Sequence, residues 1–120
     1  SLDTHQRWFS EKLKCANAQI WILTDCGLPI GQIRCDCNDE EEGIISYSIA
    51  RDCRRQGHGK RIVQMAYDQI RLRFPKVKRI VAFVKPENIA SQRVFLSNGY
   101  TDESSRFVLP VSRRIAEETP

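Results

Sequence analysis

The sequence predicts an α+β fold built on a mixed central sheet with flanking helices. Three observations carry this. Apolar runs at Ile20–Asp25, Ile30–Cys37 and Ile44–Ala50 have the β-rich or period-two character of half-buried strands. From Gly57 the period lengthens to that of a helix, with Ile62, Val63, Ala66, Tyr67 and Ile70 recurring on one face. A further β-rich run at Arg79–Lys85 makes strand, helix and strand a right-handed crossover between parallel neighbours.

Taken in order, Asp3 or Thr4 caps a first helix running to about Cys15, with Trp8, Phe9 and Leu13 on its apolar side. The three strands form an antiparallel meander, turned by CGLP at Cys26–Pro29 and by the acidic NDEEEG at Asn38–Gly43. The second helix spans Gly57 to about Phe74 and is stopped by Pro75. The strand after it ends at Pro86. A short helix over Asn88–Ser97 presents Ile89, Val94, Phe95 and Leu96, and stops at Asn98–Gly99. A weaker strand signal starts at Tyr100, another lies at Phe107–Val111, and the polar tail from about Ser112 frays.

At 120 residues, with 41% hydrophobic and 28% charged side chains, residues 1–120 read as one globular domain. No apolar run approaches the roughly 20 residues that span a bilayer, and no leader pattern is present. An odd set of five cysteines without CxxC repeats argues against a disulfide framework and for a reducing, cytoplasmic compartment. Cys35 and Cys37 have no second Cys/His pair at ligand spacing, so they read as strand thiols rather than a metal site. Residues 1–50 hold four Lys/Arg against eight Asp/Glu, and the remainder fifteen against seven. A basic second half suits an anionic ligand.

The segment RRQGHGKR (Arg54–Arg61) follows a strand and opens a helix. Glycines there let the backbone turn tightly, while the free N–H groups of the first helical turn face outward, which suits pyrophosphate. The spacing matches neither a P-loop nor the dinucleotide G-x-G-x-x-G, since Ile62 stands three residues after Gly59. The basic side chains alone are also compatible with a solvated helix start.

Arg54-x-x-Gly57-x-Gly59, followed by Asn88-x-x-Ser91-x-x-x-Phe95-x-x-x-Gly99-Tyr100 one helix and one strand later, closely resembles the GNAT superfamily of acyl-CoA-dependent N-acyltransferases. The resemblance covers roughly Ile20–Tyr100 and implies the GNAT fold with acetyl-CoA or coenzyme A as cofactor. It implies that the backbone of Arg55, Gln56, Gly57, His58, Gly59 and Lys60 binds the pyrophosphate, with Arg54 accessory. It further implies that the Ile49 main chain pairs with pantetheine, that Asn88 and Ser91 reach it from the other side, and that a β-bulge near Ile49 splays the strands. His58 then reads as a bystander with an outward side chain, and Asn88 also suits a helix N-cap. Against the usual pattern, the chain lacks the first strand and helix. Either they precede Ser1 or the fold is abbreviated.

Acyl transfer needs a neutral amine, an oxyanion donor and an acid for the leaving thiolate. Where many relatives carry a tyrosine acid this chain has Phe95, and where some carry a glutamate base it reads Ala82–Phe83–Val84. Tyr47, on the Ile49 face of its strand, is the catalytic candidate, against a reading as cleft wall. Glu42 is either a base acting through water or part of a solvated turn, and Arg34 and Asp36 are candidate substrate contacts. The expected reaction is acetylation of a small-molecule primary amine by direct attack on the thioester. His5, Trp8 and Phe9 would line the acceptor side, and the runs HQRWF, PIGQIR and EGIISYSI are similar to a branch acting on nucleotide-linked amino sugars. Neither nucleic acid nor membrane is an expected partner, and a homodimer through the strands after Tyr100 is open by analogy. Two rivals remain: a noncatalytic acyl-CoA-binding or regulatory module, and a basic nucleic-acid-binding domain built on RLRFPKVKR (Arg71–Arg79).

Overall fold

The computed structural model describes the backbone of residues 6–12 and all of residues 17–112. The order is β1 (Gln6–Lys12), β2 (Ala18–Asp25), β3 (Leu28–Cys37), β4 (Glu42–Ile49), a 3-10 turn (Arg51–Cys53), α1 (His58–Arg73), β5 (Arg79–Phe83), α2 (Ile89–Ser97), β6 (Thr101–Asp102) and β7 (Arg106–Pro110). The seven strands form one mixed sheet in the order β1-β2-β3-β4-β5-β7-β6, with β4 and β5 parallel and every other pair antiparallel. The fold is therefore α+β, as the change of period predicts.

The first element differs from expectation. Gln6–Lys12 is a strand, paired with β2 from Gln6↔Asp25 to Lys12↔Gln19, rather than part of a helix. Adjacent aromatics at Trp8 and Phe9 favour extended backbone, and the exposed edge of β2 supplies partners that a lone amphipathic helix would lack. The remaining residues of that expected helix, with His5, lie outside the described residues, as does the tail beyond Ser112. Ser112 itself is held: its N–H donates to the Tyr67 hydroxyl at 3.0 Å and its carbonyl accepts from Arg71 Nε at 2.7 Å.

The later elements follow their local signals. Cys26 and Gly27 both have positive φ (52° and 83°) and close the β2–β3 hairpin in two residues. Asn88 caps α2, its Oδ1 accepting from Ser91 N at 3.1 Å, and Gly99 at φ +88° ends it. α1 buries Ile62, Val63, Ala66 and Ile70 against Trp21, Ile33, Cys35, Ile45 and Ile80. α2 is narrower than its composition suggests. Phe95 is its one buried residue among the described side chains, while Ile89 and Leu96 are exposed.

The architecture opens a cleft on one side of β4. Only Glu42–Ile44 pair with β5, against Arg79–Val81. β5 then stays in register with β7 as far as Phe83↔Arg106, and so leaves β4 behind. The bulge expected near Ile49 is not in β4, whose pairing with β3 runs unbroken from Gly31↔Ile49 to Cys37↔Gly43. The irregularity lies one strand away, between β2 and β3 at Leu23/Thr24, where Ile30 is left over. The splay thus arises because β5 stays with β7 on one edge while its other edge parts from β4 after Val81.

Next to that bulge, Gly31 meets β4 closely. A Cβ there would lie 2.7 Å from Ile49 Cδ1 and 3.1 Å from the Ser48 carbonyl oxygen. Gly31→Ala is expected to destabilise the fold by about 1–2 kcal/mol through overpacking, read as a shifted urea midpoint at unchanged slope.

Candidate functional site

The splay leaves a cavity of about 570 Å³ between the end of β4, the Arg51–Gly57 loop and the N-termini of α1 and α2. Its walls include Tyr47, Ile49, Arg54, Arg55, Gly57, His58, Gly59, Lys60, Asn88 and Ser91, so one site gathers Tyr47 and all but one of the residues expected at the cofactor. Gln56 is the exception: it is exposed, and its amide donates to the Asp52 carbonyl at 3.4 Å. Ser48, Cys53, Ala90 and Val94 also line the cavity. Ser48 and Val94 lie within the predicted elements, but periodicity does not say that β4 and α2 face each other.

The loop geometry suits an anion. Arg55 and Gly57 have φ of +64° and +80°, a left-handed pattern that turns successive N–H groups to one side. Gly57 is the N-cap of α1 and offers no side-chain cap, so the helix's first N–H groups are left for a ligand. Arg54, Arg55 and Lys60 line the cavity, and none of its lining residues is an Asp or Glu. Gly59 is needed for close approach. A methyl there would lie 3.3 Å from Val94 Cγ2 and 3.4 Å from Tyr47 Cε2.

Tyr47 stands at the inner end of the cleft. Its ring meets Phe95 edge-on, with centroids 5.7 Å apart and planes at 66°. Burial pushes its phenol up from the ordinary tyrosine range, and the nearby Ser91 side chain partly opposes this. The phenol is therefore protonated at neutral pH and available as a donor. Phe95 is buried between Tyr47, Tyr100 and Phe107.

Several expectations are corrected. His58 does not point outward but is buried, with Nδ1 3.5 Å from Arg61 Nη1. Burial, then the Arg61 charge, holds its imidazole below the ordinary range, against an opposing pull from Asp25. Glu42 is neither a solvated turn residue nor a free base. It is buried, and accepts from Arg106 Nη2 at 2.5 Å, Arg79 Nε at 2.9 Å and Asn38 Nδ2 at 3.1 Å. The Asn38 and Arg79 hydrogen bonds hold its carboxyl below the usual range. Arg34 and Asp36 form a bidentate pair at 2.6 and 2.8 Å, alternating with core residues Ile33 and Cys35, and so lie on the sheet face away from Tyr47. Among the thiols, Cys35 is buried, which pushes it up, Cys37 and Cys53 are half-buried, and Cys26 is exposed. No cluster of three metal-ligating side chains occurs among the described residues. No described helix is long and apolar enough to cross a membrane.

A sequence model of the acetyltransferase (GNAT) domain matches residues 1–101. No curated protein sequence matches the chain. Among solved structures, the chain is similar to the ribosomal-protein-S5-alanine acetyltransferase of Vibrio fischeri, with 17% identity and a TM-score of 0.73 over 81% of this chain and 63% of that one. It is similar to RimJ of Mycobacterium smegmatis in complex with CoA-disulfide, at 19% identity and TM-score 0.73, over 91% and 58% of the two chains. It also resembles the ribosomal-protein-S18-alanine N-acetyltransferase of Escherichia coli, at 18% identity and TM-score 0.71, over 80% and 70%. The chain thus spans about three fifths of the length of the Vibrio and Mycobacterium structures.

Proposed function

The chain belongs to the acetyltransferase (GNAT) domain family, and from that premise we propose that it is an acetyl-CoA-dependent N-acetyltransferase domain acting on a primary amine. The observation that carries the reading is the cavity itself. An uncapped helix N-terminus, a left-handed Arg55–Gly57 loop and three cations meet at the open edge of β4. The residues fit the cofactor. The N–H groups of the α1 start, with Arg54, Arg55 and Lys60, would hold its pyrophosphate, and the Ile49 backbone with Asn88 and Ser91 would flank pantetheine. When bound, the thioester supplies the acyl group that the amine takes up, and a thiol is released.

Tyr47 is the proton donor to that departing sulfur. Its phenol is held protonated by burial, its ring is set by the edge-on contact with Phe95, and it lines, with Ser91, the cavity that Phe95 itself does not line. The phenol that position 95 of α2 lacks is thus provided by β4. Tyr47→Phe is expected to lower kcat about tenfold with coenzyme A affinity unchanged, because a thiolate leaves tolerably without help. Equal losses in binding and turnover would assign the side chain to the cleft wall instead.

The acceptor is proposed at the level of a primary amine. A small molecule is the reading from sequence, whereas two of the structural relatives are named for ribosomal-protein alanine acceptors, which favours an N-terminal α-amine as the second reading. A single thiol-release assay with acetyl-CoA decides between them, run against small amines, a nucleotide-linked amino sugar and peptides beginning with alanine. Tight coenzyme A binding with no release above background for every amine would leave the noncatalytic module standing.

A further inference from the structure

We propose that Arg54 makes the cleft selective for a donor carrying a pyrophosphate over a bare pantetheine thioester, by occupying the Ile49 carbonyl until a phosphate draws it away. The inference rests on the coenzyme A reading above. Arg54 Nε donates to the Ile49 carbonyl at 3.1 Å, and both residues line the same cavity. Ile49 ends β4, and the next residue, Ala50, directs its N–H to the Ile30 carbonyl of β3 at 2.9 Å. Because backbone polar groups alternate along a strand, those of Ile49 face the other edge, which β5 has left beyond Ile44↔Val81. An extended amide ligand adding itself to that edge needs this carbonyl as an acceptor.

Arg54 therefore stands in for the missing strand. Its bond to a neutral carbonyl is the weaker of two available to it. A phosphate offers a charge-assisted and bidentate partner to a guanidinium that has no carboxylate partner among the described residues. A ligand with pyrophosphate moves the guanidinium and releases the Ile49 carbonyl in one event. A ligand without it must displace Arg54 unaided. The two halves of the donor are then coupled through one side chain, and by linkage each half tightens the other.

The test titrates the folded chain with pantetheine alone, inorganic pyrophosphate alone, and pantetheine in saturating pyrophosphate, following affinities by calorimetry and the Arg54 Nε–H resonance by NMR. Pyrophosphate is expected to tighten pantetheine about fivefold and to shift the Arg54 resonance, a coupling at the low end of the usual range. In Arg54→Ala, pantetheine alone is expected to bind about fivefold tighter than to the unaltered chain, pyrophosphate weaker, and the coupling to vanish. Arg54→Lys, which keeps the charge but not the fork, serves if the alanine variant does not fold, and is expected to lose most of the coupling. Equal pantetheine affinity with and without pyrophosphate in the unaltered chain, while coenzyme A binds, would overturn this inference alone. So would a loss of affinity for both probes in Arg54→Ala. Failure of coenzyme A itself to bind would remove the reading on which the inference stands.

Discussion

Gly57→Glu is expected to weaken coenzyme A binding about a hundredfold while the fold survives. Gly57 has φ +80° and ψ 3° at the N-cap of α1, and a Cβ there would meet nothing within 4 Å. Steric exclusion is therefore not the mechanism. A side chain in this left-handed conformation costs about 1 kcal/mol, charged to stability rather than to binding. The larger effect is electrostatic. The new carboxylate can take the uncapped N–H groups that would serve the pyrophosphate, and it repels the ligand's own charge at about 5 Å, roughly 3 kcal/mol at an effective dielectric of 20. Gly57→Asn separates the contributions, since asparagine tolerates the left-handed region and adds no charge, and is expected to stay within about threefold of the unaltered chain. Calorimetric Kd values for both variants, with circular dichroism as the check on folding, measure this. An unchanged Kd in Gly57→Glu would mean that the loop does not hold the cofactor.

Glu42→Gln is expected to lower stability by about 2 kcal/mol. Its carboxylate sits where β4 and β5 begin their short pairing, at Glu42↔Arg79, and it joins Arg79 of β5 to Arg106 of β7. Removing the charge leaves two arginines facing each other, with only Arg106 retaining a second carboxylate, Glu103 at 3.1 Å. Breaking a fully buried pair costs about 3–5 kcal/mol, but the two arginine side chains are 40% and 34% exposed, and water reduces the loss. The pH dependence has a definite sign. The folded-state pKa of Glu42 is lowered, so its contribution is complete above the ordinary glutamate range, near pH 4.3, and fades as pH falls below it through the lowered value. Urea midpoints between pH 3 and 7 should show the unaltered chain losing this increment in acid, with the Gln variant flatter over the same window. Parallel curves would show that Glu42 is not charge-paired in the folded chain.

Much of the fold was legible because its signals are local. The α1 period, the Pro75 and Gly99 stops, the Asn88 cap and the Cys26–Gly27 turn each depend on a few neighbouring residues and their intrinsic conformational preferences. Gln6–Lys12 was misread for the converse reason. Its extended state depends on β2, eleven or more residues away along most of the hairpin, and edge pairing overrides the local tendency of the segment. Glu42 was misread for a similar reason. In sequence it belongs to a run of acids at the β3–β4 turn, and only distant residues, Arg79 thirty-seven and Arg106 sixty-four positions on, make it a buried ionic partner.

The candidate site divides in the same way. The sequence by itself determined that a glycine turn joins a strand to an amphipathic helix at residues 57–59 with basic side chains around it. It also determined that α2 carries no tyrosine at Phe95. Tertiary structure alone decided that Tyr47 stands edge-on to Phe95 and shares the cleft with Ser91, that His58 is buried, and that Arg54 holds the Ile49 carbonyl. The reason is range. Backbone preference is written in a few consecutive residues, whereas the meeting of β4 with α2 is set by where β5 parts from β4 while staying paired with β7, and no local pattern encodes that point.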